Sequence, residues 1–322
     1  MAQNAPTPLT SDIGARPEVV RGRSHWELFW SRFVRDRVAI AGLVLVLEFV
    51  ALALFAPLIA KLVGHTPNEL FGNMLTGLGL PKGPDPHFWF GADQAGRDVF
   101  VRAIYGARSS LTVSVVGTGV ATVIGVVIGT IAGYYGGWLD TLMSRFIDVL
   151  LSLPLLLFAI GLASVCSVST KGCLGGTLQP GLTLVTAIIA LFTWPYIARI
   201  VRGQVISLKE REFVEAARAM GASDRRIMFS ELLPNLVGPI IVYATLTIPG
   251  NILFEASLSY LGVGLPQSTP SWGRMLSDAT SGSLFTYAWW MMVYPGAFLL
   301  LATLAFNLVG DGLRDALSPR GG

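Results

Sequence analysis

Hydrophobic positions in this chain fall into long runs separated by shorter polar segments. At 1.5 Å per residue, a helix of about twenty residues crosses a hydrocarbon core of about 30 Å. Runs of this kind predict helices, because a backbone in lipid must satisfy its own hydrogen bonds. The pattern therefore predicts an all-α membrane protein with six transmembrane helices, at residues 38–60, 109–133, 140–163, 181–201, 236–258 and 289–310.

The segment ahead of the first run has two parts with different patterns. Residues 1–24 are rich in proline, alanine and polar residues, which predicts a disordered tail. Residues 25–37 carry an aromatic stripe at helical spacing, formed by Trp26, Phe29, Trp30 and Phe33. The stripe predicts an interfacial helix on the cytoplasmic leaflet; alternatively, it forms the first turns of the first span.

The polar segment between the first two runs is too long for a plain connector. Residues 61–108 hold many prolines and glycines, and we predict that they pack as a small extracytoplasmic element. Their end predicts a helix that runs along the membrane surface into the second span. The chain then divides into a tail (1–24), an N-terminal region (25–108), a transmembrane domain (109–310) and a polar tail (311–322).

Small residues recur every four positions in the second run. The ridge is formed by Gly117, Ala121, Gly125, Gly129 and Gly133. Because such a ridge lets another helix approach closely, we predict that this span is buried in the bundle or contacts a second membrane subunit. In the third run, Pro154 predicts a kink.

The segment 211–235 is the longest charged stretch between hydrophobic runs in the second half of the chain. Its charged and small side chains recur at helical spacing, at Glu212, Phe213, Glu215, Ala216, Ala217, Arg218 and Met220. Gly221 predicts the end of this helix, Ser223 a cap for the next one, and Leu233-Pro234 the end of that second segment. The pattern fits a docking surface, and a solvated loop is the alternative.

Composition supports the membrane class and excludes several others. The chain is 52% hydrophobic and 13% charged, with a net charge of +3, whereas soluble domains carry about 25% charged residues. The basic residues cluster in loops, so the charge gives no sign of nucleic-acid binding. The three histidines, His25, His65 and His87, show no metal-ligand spacing. Since GxxxxGK[ST] is absent as well, we predict no catalytic residue and no metal in this chain.

Two features of the sequence allow alternative interpretations. Glu48 lies near the middle of the first span, where an ionisable group is costly; we favour a carboxyl packed against a neighbouring helix over a functional group. Cys166 and Cys173 are seven residues apart in one loop, where they form either a disulfide or two free thiols.

The distribution of basic residues predicts the orientation. With the amino terminus inside, sixteen of the 23 Lys and Arg residues fall in cytoplasmic segments. Six spans then place both termini and segment 211–235 in the cytoplasm, and both cysteines outside.

The spacing of Glu215-Ala216-Ala217, Gly221 and Leu233-Pro234 resembles the EAA loop of permease subunits of bacterial ABC importers. Three further stretches, GADQAGRDVFVRAIYGARSSL, PSWGRMLSDA and FNLVGDGLRDALSPR, resemble the C-type permeases of dipeptide, oligopeptide and nickel importers. The likeness covers about residues 28–319. It implies the topology of a type I ABC importer permease, with a cytoplasmic coupling helix, in the bacterial inner membrane.

The resemblance also implies partners and site residues. The partners are a homologous B-type permease, two ATPase subunits that hold ATP and Mg, and an extracytoplasmic solute-binding protein. Glu215, Ala216, Ala217 and Gly221 are implied to dock on an ATPase, and Asp93, Gly96, Arg97 and Asp98 match the family's outer segment.

For the path itself, Tyr243, Asn251 and Glu255 are candidate lining residues on the fifth span. The function implied is import of di- or oligopeptides. A stand-alone secondary transporter or channel, or a membrane scaffold, is the alternative.

Overall fold

The computed structural model describes residues 25–168, 173 and 180–317, and the predicted tail at 1–24 lies outside them. The described helices are α1 (His25–Phe33), α2 (Arg37–Val63), α3 (Val99–Tyr135), α4 (Gly137–Ser152), α5 (Leu155–Val168), α6 (Leu182–Leu208), α7 (Glu212–Ala219), α8 (Asp224–Arg226), α9 (Leu233–Tyr260), α10 (Trp272–Thr280) and α11 (Trp290–Leu317). A π-helical segment, Ile227–Leu232, joins α8 to α9 without a break.

The helices reproduce the predicted class. Among the described residues, five helical stretches are long and apolar enough to cross a membrane, namely α2, α3, α6, α8 to α9 and α11. The bent pair α4 and α5 makes a sixth span if it is counted as one. The pair bends by 84° where Pro154 removes a backbone donor. The prediction of an all-α membrane protein is confirmed.

The first helix is separate from the first span. The Asp36 carboxylate accepts hydrogen bonds from the backbone N–H groups of Val38, at 2.8 Å, and Ala39, and so caps α2. In α1, Phe29 and Phe33 are buried in a cluster with Ala39 and Ala316, whereas Trp30 is exposed. The alternative in which this stripe forms the first turns of span one is therefore wrong.

The glycine ridge of α3 packs against α6 of the same chain. A Cβ at Gly129 would lie 2.6 Å from the Ala198 carbonyl oxygen, and a Cβ at Gly125 would lie 2.9 Å from that of Trp194. Gly117 faces Ile189 and Gly133 faces Arg202 and Val205 in the same way. Any side chain larger than hydrogen would force the helices apart, so these glycines allow α3 and α6 to approach closely.

The sequence-based boundaries of two elements are wrong. The helix predicted ahead of span two is not separate, because α3 runs unbroken from its cap at Asp98. The polar tail expected from residue 311 is helical as far as Leu317. Its small residues explain the extension, since Gly312 lies against Ala39 and Ala316 is buried.

Residues 64–98 with α10, which we expect on the outer side and call the outer cap, pack around a small core of their own. Met74, Phe88 and Ala92 are buried, and the His65 ring lies within 4.7 Å of the Phe71 ring and 4.6 Å of the Phe88 ring. Two isolated antiparallel bridges, Leu75 with Pro81 and Ala92 with Asp98, tie the loop to itself. The cap is joined to the bundle by Trp272, whose indole N–H donates to the Ala103 carbonyl at 3.0 Å.

Candidate functional site: a docking helix and a membrane cavity

The helix α7 is amphipathic, and only one of its faces is covered by the chain. Val214 is fully buried in a cluster with Ile227, Met228 and Leu232, which fixes α7 against the start of the fifth span. Glu215 and Ala216 are exposed on the other side. Glu212 and Glu215 lie in its first turn and Arg218 in its last, the order that the helix dipole favours. The helix is therefore fixed in place while its outer face stays open.

The turn after α7 requires a glycine. Gly221 has φ +81°, and a Cβ there would meet nothing within 4 Å. Its role is therefore conformational, because the left-handed backbone costs other residues about 1–2 kcal/mol. The turn closes with the Ala222 N–H donating to the Ala217 carbonyl at 3.0 Å. Gly221 thus ends α7 and directs the chain back towards the bundle.

Three details of this segment differ from the sequence-based interpretation. Ala217 is only 5% exposed, so it belongs to the inner face rather than to the open one. Ser223 occupies the cap position with an extended backbone, but its side chain makes no capping bond. Leu233-Pro234 does not end the segment, because proline is tolerated in the first turn of a helix and the π-helical segment continues directly into α9.

The open face of α7 also presents apolar groups. Met220 is 82% exposed and Phe213 is 38% exposed. Together with Glu215 and Ala216 they form a small mixed surface at the polar end of the bundle. We call these four exposed residues, Phe213, Glu215, Ala216 and Met220, the docking surface, since they are the candidate contact for another protein.

A cavity of about 630 Å³ lies among α4, α5, α6, α9 and α11. This volume is within the range of small-ligand pockets, about 300–1,000 Å³. Its apolar wall includes Leu151, Leu155, Phe192, Leu246 and Phe254, and its polar groups are Thr193, Tyr196, Tyr243, Thr247, Asn251 and Arg314. Tyr243, Thr247 and Asn251 follow each other at intervals of four, so one face of α9 supplies a polar strip inside the membrane.

The three candidate path residues have different positions. Tyr243 lines the cavity and is partly buried. Asn251 also reaches the cavity, but its amide donates to Thr118 at 2.7 Å and accepts from Thr193 at 3.1 Å, which ties α9 to α3 and α6. Glu255 does not line the cavity, since it is fully buried and accepts a bond from Ser259 at 2.7 Å.

The sequence-based analysis missed Arg314, the charged side chain of this cavity. It was assigned to the polar tail, whereas α11 carries it to the cavity wall. The repeat of polar residues at intervals of four in α9 was the available signal for the strip.

Two other features noted in the sequence lie elsewhere. Glu48 is exposed on α2, and the described residues give its carboxyl no hydrogen bond or ion pair, so the favoured packed carboxyl is not seen within this chain. Cys166 and Cys173 are joined by a disulfide. Within the described ranges, no three His, Cys, Asp or Glu side chains come together as a metal site would require.

The four residues that match the family's outer segment are buried in the chain and are not exposed at its surface. Arg97 donates to Asp93 at 2.7 Å, and its other end lies 3.5 Å from Asp278. Asp98 caps α3 and lies 2.6 Å from His65 Nδ1. Gly96 has φ +76° and abuts the Phe71 carbonyl.

Burial raises the pKa of the Asp278 carboxyl, and the charges of Arg274, Arg102 and Arg97 oppose that rise.

Comparison with known proteins identifies the family. Residues 125–321 match the model of the binding-protein-dependent transport system inner membrane component, and residues 24–74 match the N-terminal TM domain of oligopeptide transport permease C. A solved structure of the MetNI methionine ABC transporter in inward-facing conformation aligns with TM-score 0.48 and 19% identity, over 65% of this chain and 94% of that one.

Similar curated proteins cover nearly the whole chain. The dipeptide transport system permease protein DppC of Alkalihalophilus pseudofirmus is 40% identical over 92% of this chain and 90% of its own length. The oligopeptide transport system permease protein OppC of Bacillus subtilis is 38% identical over the same shares. The glutathione transport system permease protein GsiD of Shigella flexneri is 40% identical over 95% and 93%. The chain therefore belongs to the family of binding-protein-dependent transport system inner membrane components.

Proposed function

We propose that this chain is one of two permeases of an ATP-driven importer and forms the translocation path for di- or oligopeptides together with a homologous B-type permease. The names of the dipeptide and oligopeptide relatives support this substrate class. Two ATPase subunits dock from the cytoplasm, and an extracytoplasmic solute-binding protein delivers the substrate. Both termini lie in the cytoplasm of a bacterial cell, in accord with the distribution of Lys and Arg.

The observation that carries the proposal is the uncovered face of α7. Its inner face is fixed by Val214, and its outer face presents Glu215 and Ala216 with nothing from the described chain against them. Because Val214 packs on the π-helical segment that leads into α9, a force applied to α7 reaches a membrane span directly. The docking surface therefore couples closure of the ATPase subunits to movement of the path. ATP and Mg belong to those subunits, and this chain contributes no catalytic group.

The cavity lined by α9 supports its role as part of the path. A peptide in transit carries amide groups and a terminal carboxylate. The polar strip of Tyr243, Thr247 and Asn251 offers hydrogen bonds to the amides, and Arg314 offers a cation to the carboxylate.

Reversal of one charge on the docking surface tests the proposal. Glu215→Lys places a cation where the ATPase meets an anion, and we expect substrate-stimulated ATP hydrolysis to fall more than tenfold in the reconstituted complex. Gly221→Asp acts on the same step by straining the turn that positions α7. Asp315→Lys, an equal reversal at the exposed end of α11, serves as the control and leaves stimulation intact.

Three readouts decide the outcome. Thermal unfolding of Glu215→Lys stays within the range of the parent chain, because that side chain is exposed, whereas Gly221→Asp carries the cost of about 1–2 kcal/mol of a left-handed backbone. Uptake into vesicles requires ATP, whereas a stand-alone secondary transporter would use an ion gradient. Unchanged ATPase stimulation in Glu215→Lys would refute coupling through α7.

A further inference from the structure

A second cavity lies on the cytoplasmic half of the bundle, between the last turns of α3 and the π-helical segment. This cytoplasmic groove has a volume of about 290 Å³. Its walls are mainly apolar and include Val127, Ile131, Met228, Phe229 and Leu233. Phe229 is 67% exposed, so the groove opens away from the chain. A groove of this shape in a membrane protein faces either lipid or another protein.

The depth of the groove matches one leaflet of a membrane. Its α3 wall extends from Val126 to Tyr135, which is about 14 Å at 1.5 Å per residue. The hydrocarbon core is about 30 Å thick, so the wall spans about half of it. Tyr135, 53% exposed, lies at the cytoplasmic end, where aromatic side chains mark the interface.

A cation stands at the mouth of the groove. Arg225 lines it and is exposed, and no described residue forms an ion pair or hydrogen bond with its guanidinium. The carboxylate next to it in sequence, Asp224, accepts a hydrogen bond from Tyr134 at 2.7 Å. The mouth therefore carries an open guanidinium at the level of the lipid headgroups.

A hydroxyl inside the groove also has no partner. Thr130 lines the wall between Val127 and Tyr135 and is 8% exposed. Its Oγ1 makes no hydrogen bond with any described residue. Less than 1 Å² of this oxygen is exposed, so an acceptor in the groove reaches it after a small movement of the walls, and the bond so formed removes the cost of an unpaired buried hydroxyl.

We propose that the cytoplasmic groove binds one anionic phospholipid from the inner leaflet. An acyl chain lies along Val127, Ile131 and Leu233. The phosphate pairs with Arg225, and the Thr130 hydroxyl donates to an ester carbonyl oxygen below the headgroup. A protein helix would fill the apolar walls equally well, but it would need an acidic side chain at Arg225 and an acceptor at Thr130, and a single phospholipid supplies both groups.

Lipid retention by the purified complex tests the site. The complex, with its partner subunits, is incubated with equal amounts of phosphatidylglycerol and phosphatidylcholine, and native mass spectrometry counts the lipids retained. Removal of one cation near a membrane surface corresponds to about a fivefold loss of anionic lipid. We expect Arg225→Ala to lower retained phosphatidylglycerol by about that factor. Thr130→Val keeps the shape of the side chain and lowers retention by a smaller factor.

A neighbouring arginine provides the matched control. Arg226 is also exposed and carries the same charge, but it does not line the groove. Arg226→Ala therefore retains as much phosphatidylglycerol as the parent chain. Equal retention in Arg225→Ala and the parent would overturn the proposal, as would equal binding of the two lipids. A photoreactive residue at Phe229 that captures a protein chain, and no lipid, would show instead that a subunit fills the groove.

Discussion

Two sets of charged residues at opposite ends of the bundle differ in burial and in pairing. In the outer cap and the adjoining start of α3, Asp93, Arg97, Arg102 and Asp278 are all less than a tenth exposed, and ion pairs within the chain connect them. At the opposite end, which we propose is cytoplasmic, Glu212, Glu215, Arg225 and Arg226 are exposed. Buried charges need partners, and those of the cap find them inside the chain.

The difference in burial distinguishes charges that stabilise the fold from charges that remain available for another molecule. The cap also carries aromatic stacking at His65, and a disulfide lies in another loop that we assign to the outer side. These features make the outer end self-contained. The end that we propose is cytoplasmic leaves the charged Glu215 and Arg225 and the apolar Met220 and Phe229 uncovered, as the proposed ATPase and lipid contacts require.

The largest expected effect comes from the buried charges of the cap. Arg97→Ala leaves the carboxylates of Asp93 and Asp278 buried with fewer partners, which costs about 3–5 kcal/mol of unfolding free energy. Thermal unfolding of the purified protein in one detergent measures it. Arg226→Ala removes the same group from the cytoplasmic end and shifts stability by less than about 0.5 kcal/mol. Equal shifts in the two variants would erase the contrast between the ends.

Removal of the disulfide is expected to have the second-largest effect on stability. Replacement of both Cys166 and Cys173 by serine removes a bond between residues seven positions apart. The chain-entropy relation gives a loss of about 2.5 kcal/mol of unfolding free energy. Mass analysis of protein from native membranes, with and without reductant, establishes whether the bond exists there. If both thiols are alkylated without reductant, the disulfide is absent in the membrane and does not stabilise the outer end.

The stacked histidine has a smaller expected effect. His65→Ala removes two ring contacts and the hydrogen bond to Asp98, with a loss of about 2 kcal/mol. His87 is exposed in the same cap, so His87→Ala is the matched control and leaves the unfolding temperature unchanged. If both variants melt alike, the stacked position of His65 contributes nothing.

The smallest effect on stability is expected on the docking surface. Met220→Ala removes a side chain that is 82% exposed, so unfolding shifts by less than about 0.5 kcal/mol. The same variant weakens ATPase binding, measured by copurification of the ATPase subunits at increasing salt. A large loss of stability together with full ATPase binding would assign Met220 to the fold instead.

The sequence predicted what local rules control. Hydropathy located the spans, Pro154 predicted the break between α4 and α5, and Gly221 predicted the end of α7, where the structure has a left-handed backbone. Each of these features depends on a single residue or on a run of apolar ones, so no knowledge of distant neighbours was needed.

Tertiary contacts decided the rest. The sequence pattern placed Ala217 on the docking face. The packing of Val214 on the π-helical segment instead covers the side of α7 on which Ala217 lies. Arg314 was assigned to a tail because the packing of Gly312 on Ala39, which extends α11, involves residues far apart in sequence. Glu255 was a candidate for the path, but its burial depends on neighbours from another part of the chain.

Crosslinking from two adjacent positions tests the coupling claim most directly. Cysteine is placed at Ala216, which is exposed, or at Ala217, which is buried, and a short bifunctional maleimide is added to the assembled complex. The account predicts that Ala216→Cys captures an ATPase subunit and that Ala217→Cys captures little. Absence of any ATPase crosslink from position 216 would contradict docking through α7.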